Sequence, residues 1–190
     1  TDPYQPLIFR MRDLATNAVI ESFEVESAAW SVDDISVSPD GRYLAMVANV
    51  GSLDTWIEVV DLTTRTSKDF GWDAVAREVE FAPNGELLVF LDDTYEEAYA
   101  GWASAIGVIT RAQLDAGDAP EIGIIQAFDD ADGRPGCIRV GPSLEITYGL
   151  NAALHVREPA AAPVALTTSG SGAAHSCGVF SPDGARIAFV

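Results

Sequence analysis

The sequence predicts an all-β propeller, and three observations carry that prediction. A hairpin motif recurs along the chain, a second strand–turn–strand pattern recurs between its copies, and the copies are spaced like propeller blades. Self-similarity at such a period marks an array in which each unit buries its apolar faces against its neighbours.

The hairpin is the clearest element. DISVSPDGRYLAMV (34–47), EVEFAPNGELLVFL (78–91) and CGVFSPDGARIAFV (177–190) share one pattern. Each has an alternating apolar strand, then Ser/Ala-Pro-Asp/Asn-Gly, then a second apolar strand. Proline presets φ for the turn, and Asp or Asn followed by Gly tolerates the positive φ of a tight hairpin. The flanking period-two pattern marks strands. A fourth copy, CIRVGPSLEITYGL (137–150), keeps both strands and the proline but has Ser143 and Leu144 where the others have Asp/Asn-Gly. Pro39, Pro83, Pro142 and Pro182 are separated by 44, 59 and 40 residues. Four-stranded blades of the WD kind run about 40–45 residues, so the middle spacing carries an insertion.

The other half of each blade also repeats. LIFRMRDLATNAVIESFEV (7–25) aligns with WIEVVDLTTRTSKDF (56–70), which places Asp13, Leu14 and Thr16 on Asp61, Leu62 and Thr64. Looser versions occupy 105–128 and 152–166. The expected organisation is one propeller domain or propeller fragment over 1–190, with about four blades. Its repeats lie near 31–70, 76–128, 137–167 and 177–190, plus the strands of 7–26. No segment reads as a convincing helix.

The chain begins with strands c and d of one blade and ends with strands a and b of another. Either the ends complete one shared blade in a closed four-bladed ring, or another chain or segment completes a larger propeller. Closure removes exposed sheet edges. The opening TDPYQP and the stop at Val190 inside an apolar strand favour a piece or processed chain of a larger assembly.

Composition narrows the function classes. Twenty-nine acidic residues against eleven basic ones give a net charge of −18, which speaks against nucleic-acid binding. Solubility is the plainest use of that charge. The one lysine, Lys68, beside ten arginines and many Ala and Gly, suggests a high-GC bacterial genome. No apolar run is long enough to span a membrane. Cys137 and Cys177 are the only cysteines, too few for a disulfide scaffold and without zinc-ligand spacing.

The SPDG hairpin followed by a V-x-D-L-x-T strand resembles the TolB-like propeller repeats of bacterial proteins. The resemblance covers nearly the whole chain. It implies a propeller fold and an extracytoplasmic home, whether periplasmic, cell-surface or secreted. Proteins with such propellers include periplasmic translocation-system components, surface lipoproteins and the gating domains of prolyl-oligopeptidase-like peptidases. The WD and GH signatures of eukaryotic WD repeats are absent. The expected function is a non-enzymatic binding or scaffold module for a protein partner, without a cofactor. The alternatives are a substrate-gating propeller of a peptidase and a carbohydrate- or cation-binding propeller.

Propeller geometry sorts the candidate site residues. The d-to-a and b-to-c connections share one face, and the SPDG turns lie on the other. The first face collects Trp30, Asp33, Asp54, Trp72 and Asp73, then Asp92, Asp93, Tyr95, Glu96, Glu97 and Tyr99, with Asp129, Asp130, Asp132 and His175. Residues 91–132 hold ten carboxylates and one base, Arg111. Aromatic anchors in a charged rim suit protein recognition, although a solvated loop whose tyrosines cover the blade edge is the favoured reading. DDADGRPG (129–136) is a poor calcium loop, because Phe128 and Arg139 stand where ligands belong. It reads first as an Asp/Gly-rich turn, with Asp129, Asp130 and Asp132 as weak metal candidates. TTSGSGAAHS (167–176) lacks a nucleophile elbow, and His155 reads as a packed or edge histidine, so no catalytic residue is expected. Asp34, Glu78, Cys137 and Cys177 share one position on successive inner strands and are expected to ring the central channel at one height. Packed free thiols are favoured there over a Cys137–Cys177 disulfide, which needs Cα atoms within about 7 Å.

Overall fold

The computed structural model describes residues 6–27, 29–51, 55–70, 75–92, 104–116, 122–129, 135–167 and 177–189. They form three four-stranded antiparallel sheets and two hairpins. Blade I is the hairpin β1 (Leu7–Arg12) and β2 (Val19–Val25). Blade II holds β3 (Ser31–Val37), β4 (Tyr43–Asn49), β5 (Thr55–Asp61) and β6 (Thr66–Phe70). Blade III holds β7 (Val75–Phe81), β8 (Leu87–Asp92), β9 (Ser104–Ile109) and β10 (Gly123–Phe128). Blade IV holds β11 (Gly136–Val140), β12 (Ile146–Leu150), β13 (Ala153–Arg157) and β14 (Val164–Ala165). Blade V is the hairpin β15 (Gly178–Phe180) and β16 (Ile187–Phe189). Each sheet runs in chain order from inner to outer strand.

Period two explains how the blades stack. On β4, Tyr43, Ala45 and Val47 join Val79, Phe81 and Val89 of blade III in one cluster. The intervening Leu44 and Met46 join Phe23 and Val25 of blade I in another. Strand b is therefore buried on both faces, and its sequence is a continuous apolar run. Blade III repeats the arrangement: Leu88 and Phe90 pack with Ile146 and Tyr148 of blade IV. The inner strands β3, β7, β11 and β15 lie in succession.

The turn chemistry is uniform. Gly41, Gly85 and Gly184 sit at φ of 70°, 83° and 69°, the left-handed region that glycine enters without a Cβ penalty. Ser38 and Ser181 donate to Asp40 and Asp183 across their turns, each at 2.6 Å. The c–d turns repeat as well. Asp13 accepts the backbone N–H of Thr16 at 2.7 Å, and Asp61 that of Thr64 at 3.2 Å. Asn17 and Arg65 follow with positive φ.

Two expectations need correction. Among the described residues β1 pairs only with β2, and β16 only with β15, so the closed four-bladed ring does not form. Ile8 on β1 and Phe189 on β16 are about half exposed. A helix is also present. It is α1 (Arg111–Ala116), in the c–d connection of blade III. Thr110 and Gln113 cap its start: Gln113 Oε1 accepts the Thr110 N–H at 2.7 Å, and Thr110 Oγ accepts the Gln113 N–H at 3.3 Å. This reciprocal capping box is legible in Thr-Arg-Ala-Gln. It was masked by the apolar strand patterns on either side.

Candidate functional site

Three places on this scaffold gather polar side chains. The first is the face formed by the d-to-a and b-to-c connections. Trp30, between β2 and β3, is 71% exposed, and its backbone N–H donates to Asn49 O at 2.7 Å. Asn49 Nδ2 in turn donates to Asp33 Oδ2 at 2.9 Å. A short connection pinned to the end of β4 thus presents an indole beside an exposed carboxylate. Asp129 is exposed at the end of β10.

Asp92 departs from expectation. It is 2% exposed, because Arg77 across the sheet pairs with it at 3.2 Å. Its place at the end of an apolar strand, before the acidic segment, made it read as a rim residue, but it belongs to the edge of the core. Asp54, Trp72, Asp73, Asp93, Tyr95, Glu96, Glu97, Tyr99, Asp130, Asp132 and His175 lie outside the described residues. Among the described residues no group of His, Cys, Asp and Glu could hold a metal ion. His155 stacks on Tyr148, with ring centroids 5.4 Å apart.

The second place is the line of inner strands. Asp34 accepts the backbone N–H of Val79 at 3.0 Å. One blade on, Glu78 accepts those of Cys137 at 2.7 Å and Ile138 at 2.8 Å. At the next junction the rung is covalent: Cys137 and Cys177 form a disulfide with Cα atoms 5.2 Å apart, which corrects the preference for free thiols. A second row runs two residues further on. Ser36 accepts the Phe81 N–H at 2.9 Å, and Glu80 the Val140 N–H at 3.2 Å. Burial pushes the Glu80 carboxyl above its ordinary range, against the pull of the Val140 N–H and Arg139. Inner-edge N–H groups that a neighbouring strand would otherwise satisfy are thus taken by side chains of the preceding blade.

The third place is the SPDG-turn face, where α1 lies. Arg111 pairs with Asp40 at 2.7 Å and with Asp115 at 3.3 Å, while Arg42 pairs with Asp115 at 2.7 Å and Asp61 at 3.1 Å. Both guanidiniums lie over the Tyr43 ring, 4.8 and 4.9 Å from its centroid. The Tyr43 hydroxyl donates to Asp115 at 2.7 Å. Burial, aided by that bond to a carboxylate, pushes the phenol up to about 12. The Ser38 hydroxyl, the Arg42 N–H and Arg111 together hold the Asp40 carboxyl well below its usual range. This network spans blades II and III, and every charge in it has a partner, so it fastens the blades together and leaves nothing open to a ligand. The sequence reading missed it because Arg111 and Asp40 are far apart in the chain.

No family model matches the chain, and no curated protein matches it in sequence. Solved structures do match in fold. Hydrazine synthase of Kuenenia stuttgartiensis aligns with a TM-score of 0.61 at 14% identity, over 94% of this chain and 63% of its own. TolB from Acinetobacter baumannii aligns at 0.60 and 19%, over 91% and 40%. The Dos1 propeller aligns at 0.58 and 11%, over 95% and 44%. The chain therefore has a β-propeller-like fold, and it spans about two fifths to three fifths of the length of these structures. At such identities the likeness concerns the fold alone.

Proposed function

We propose that this chain is a non-enzymatic, TolB-like propeller module that binds a protein partner outside the cytoplasm, through the face that carries Trp30. The observation that carries this reading is the exposure of Trp30 on a pinned connection beside Asp33. A large aromatic held 71% in solvent leaves most of its area free for a partner, and tryptophan is among the residue types that dominate binding energy at protein interfaces. The connection is anchored through Asn49, so docking orders little additional chain. Asp33 beside the indole, on a chain of net charge −18, favours a basic or neutral partner surface over an acidic one.

The extracytoplasmic assignment draws on the Cys137–Cys177 disulfide, since such bonds persist in oxidising compartments.

The test is photocrosslinking from position 30 in the producing cell, followed by identification of the captured protein and titration of the purified pair. The expected outcome is a saturable complex weakened at least about tenfold by Trp30→Ala. A purified partner that binds Trp30→Ala as tightly as the parent would remove this face from the proposal.

A further inference from the structure

On the SPDG-turn side of the blade III–blade IV junction lies a half-open cleft of about 180 Å³. Leu88 and Ile125 of blade III and Ile146 and Leu144 of blade IV give it apolar walls, and Glu86 and Arg157 supply its charged groups. It lies on the face opposite Trp30, and its residues are not members of the ion-pair network of blades II and III. Two independent features single it out.

The first is Leu144. It stands at the turn position that Gly41, Gly85 and Gly184 occupy elsewhere, and it adopts the same left-handed backbone, at φ 70°. A side chain in that conformation is strained, and a strained residue is a pointer to function. What the strain secures here is an isobutyl group on the wall of the cleft.

The second is Arg157. Its Nε is buried and finds no acceptor, and among the described residues Arg157 forms no ion pair. Arg42, Arg65, Arg77, Arg111 and Arg139 have carboxylate partners; Arg10, Arg12 and Arg186 have none among the described residues, but they are exposed to water. Glu86 shares the cleft, but its carboxylate is engaged by Asn84 Nδ2 at 2.8 Å. A buried guanidinium N–H without an acceptor is costly and calls for an explanation.

We infer that this cleft captures the C-terminal residue of a partner polypeptide, with its apolar side chain against Leu144 and its terminal carboxylate on Arg157. The volume admits about one large side chain. At a C-terminus the side chain and the carboxylate leave the same Cα, so both groups reach a site of this size together. An internal acidic residue would place its charge and the apolar anchor on different residues. A chain terminus also brings a single negative charge to a protein of net charge −18. The inference shares with the proposed function only the premise of a protein partner, and it uses a different face.

The experiment titrates the full chain with acetyl-Gly-Gly-Ser-Leu bearing a free carboxylate and with its C-terminal amide. Binding is read by calorimetry and by amide chemical shifts. The free acid is expected to bind, and to be weakened at least about tenfold by amidation and by Arg157→Gln. Leu144→Gly removes the apolar wall while relieving the backbone. It is expected to lower affinity several-fold with an unchanged or raised Tm, which a merely structural role for Leu144 would not produce. Trp30→Ala is expected to leave peptide affinity unchanged, so failure of this site and failure of the Trp30 face are distinguishable. Equal affinity for acid and amide, no binding of either, or full binding by Arg157→Gln would overturn the inference.

Discussion

Glu78 on the inner strand of blade III accepts the backbone N–H of Cys137 on the inner strand of blade IV at 2.7 Å, and that of Ile138 at 2.8 Å. The same strand position carries Asp34 one blade earlier, and Cys137 itself, bonded to Cys177, one blade later. One position of the repeat therefore supplies the fastening between successive blades, by three different side chains.

From this, Glu78→Ala leaves two inner-strand N–H groups without their acceptor. Hydrogen bonds to a charged group are worth about 1.5–3 kcal/mol. A loss in that range is expected by denaturant unfolding, with an unchanged m-value. A change below about 0.5 kcal/mol, as for an ordinary surface substitution, would show that the rung carries no load.

The covalent rung predicts a local effect. Titration of the denatured, unreduced protein should find no free thiol. Cys137→Ala with Cys177→Ala should cost about 2–4 kcal/mol for a loop of this size. Hydrogen exchange in β15 and β16 is expected to accelerate first, since among the described residues the side-chain bond seen from blade IV to blade V besides the disulfide is the single hydrogen bond from Thr147 Oγ to Gly178 O at 3.1 Å. Uniform acceleration across all blades would contradict this assignment.

The SPDG glycines should not respond alike. Each replacement by Ala incurs the left-handed backbone cost of about 1 kcal/mol. A Cβ at Gly41 meets nothing within 4 Å, whereas at Gly85 it meets Arg111 Nη1 at 3.3 Å and at Gly184 it meets Pro142 Cγ at 2.8 Å. The expected order of lost stability is Gly184→Ala, then Gly85→Ala, then Gly41→Ala. Equal losses at all three would assign the effect to φ alone.

Burial raises the Glu58 carboxyl above its ordinary value, against the opposing bond from Ser27. The Ser27 hydroxyl donates to Glu58 Oε2 at 2.6 Å, at the entry from blade I to blade II. A raised carboxyl stabilises the fold below its unfolded pKa, and that contribution is lost as pH rises through the folded value. Glu58→Gln should therefore match the parent at acidic pH and exceed it in stability at neutral pH. Thermal melts across pH 4–8 check this, and a constant offset between the two proteins would contradict it.

Much of the fold was legible in the sequence because its signals are local. Pro-Asp-Gly sets a turn, alternation sets a strand, and the proline spacing sets the blade. The common position of Asp34, Glu78, Cys137 and Cys177 followed from counting back from each proline. What counting could not supply was direction. Nothing local says that Asp34 and Glu78 reach sideways to the next blade's backbone, or that Arg111 crosses to Asp40. Asp92 misled for the same reason, since the arginine that buries it is on another strand. Trp30 was legible as a loop aromatic, but its exposure depends on what packs around it. Leu144 and Arg157 belong to one blade, but the cleft they line arises only when blade III stacks against it.

The most direct test of the central claim, a propeller that engages a protein partner through its Trp30 face, is the dissociation constant of the identified partner for the parent chain and for Trp30→Ala, at low and high salt. The account predicts at least about tenfold weaker binding by the variant, with a salt dependence that reflects the chain's net charge of −18 in both proteins. Equal constants for the two chains would contradict it.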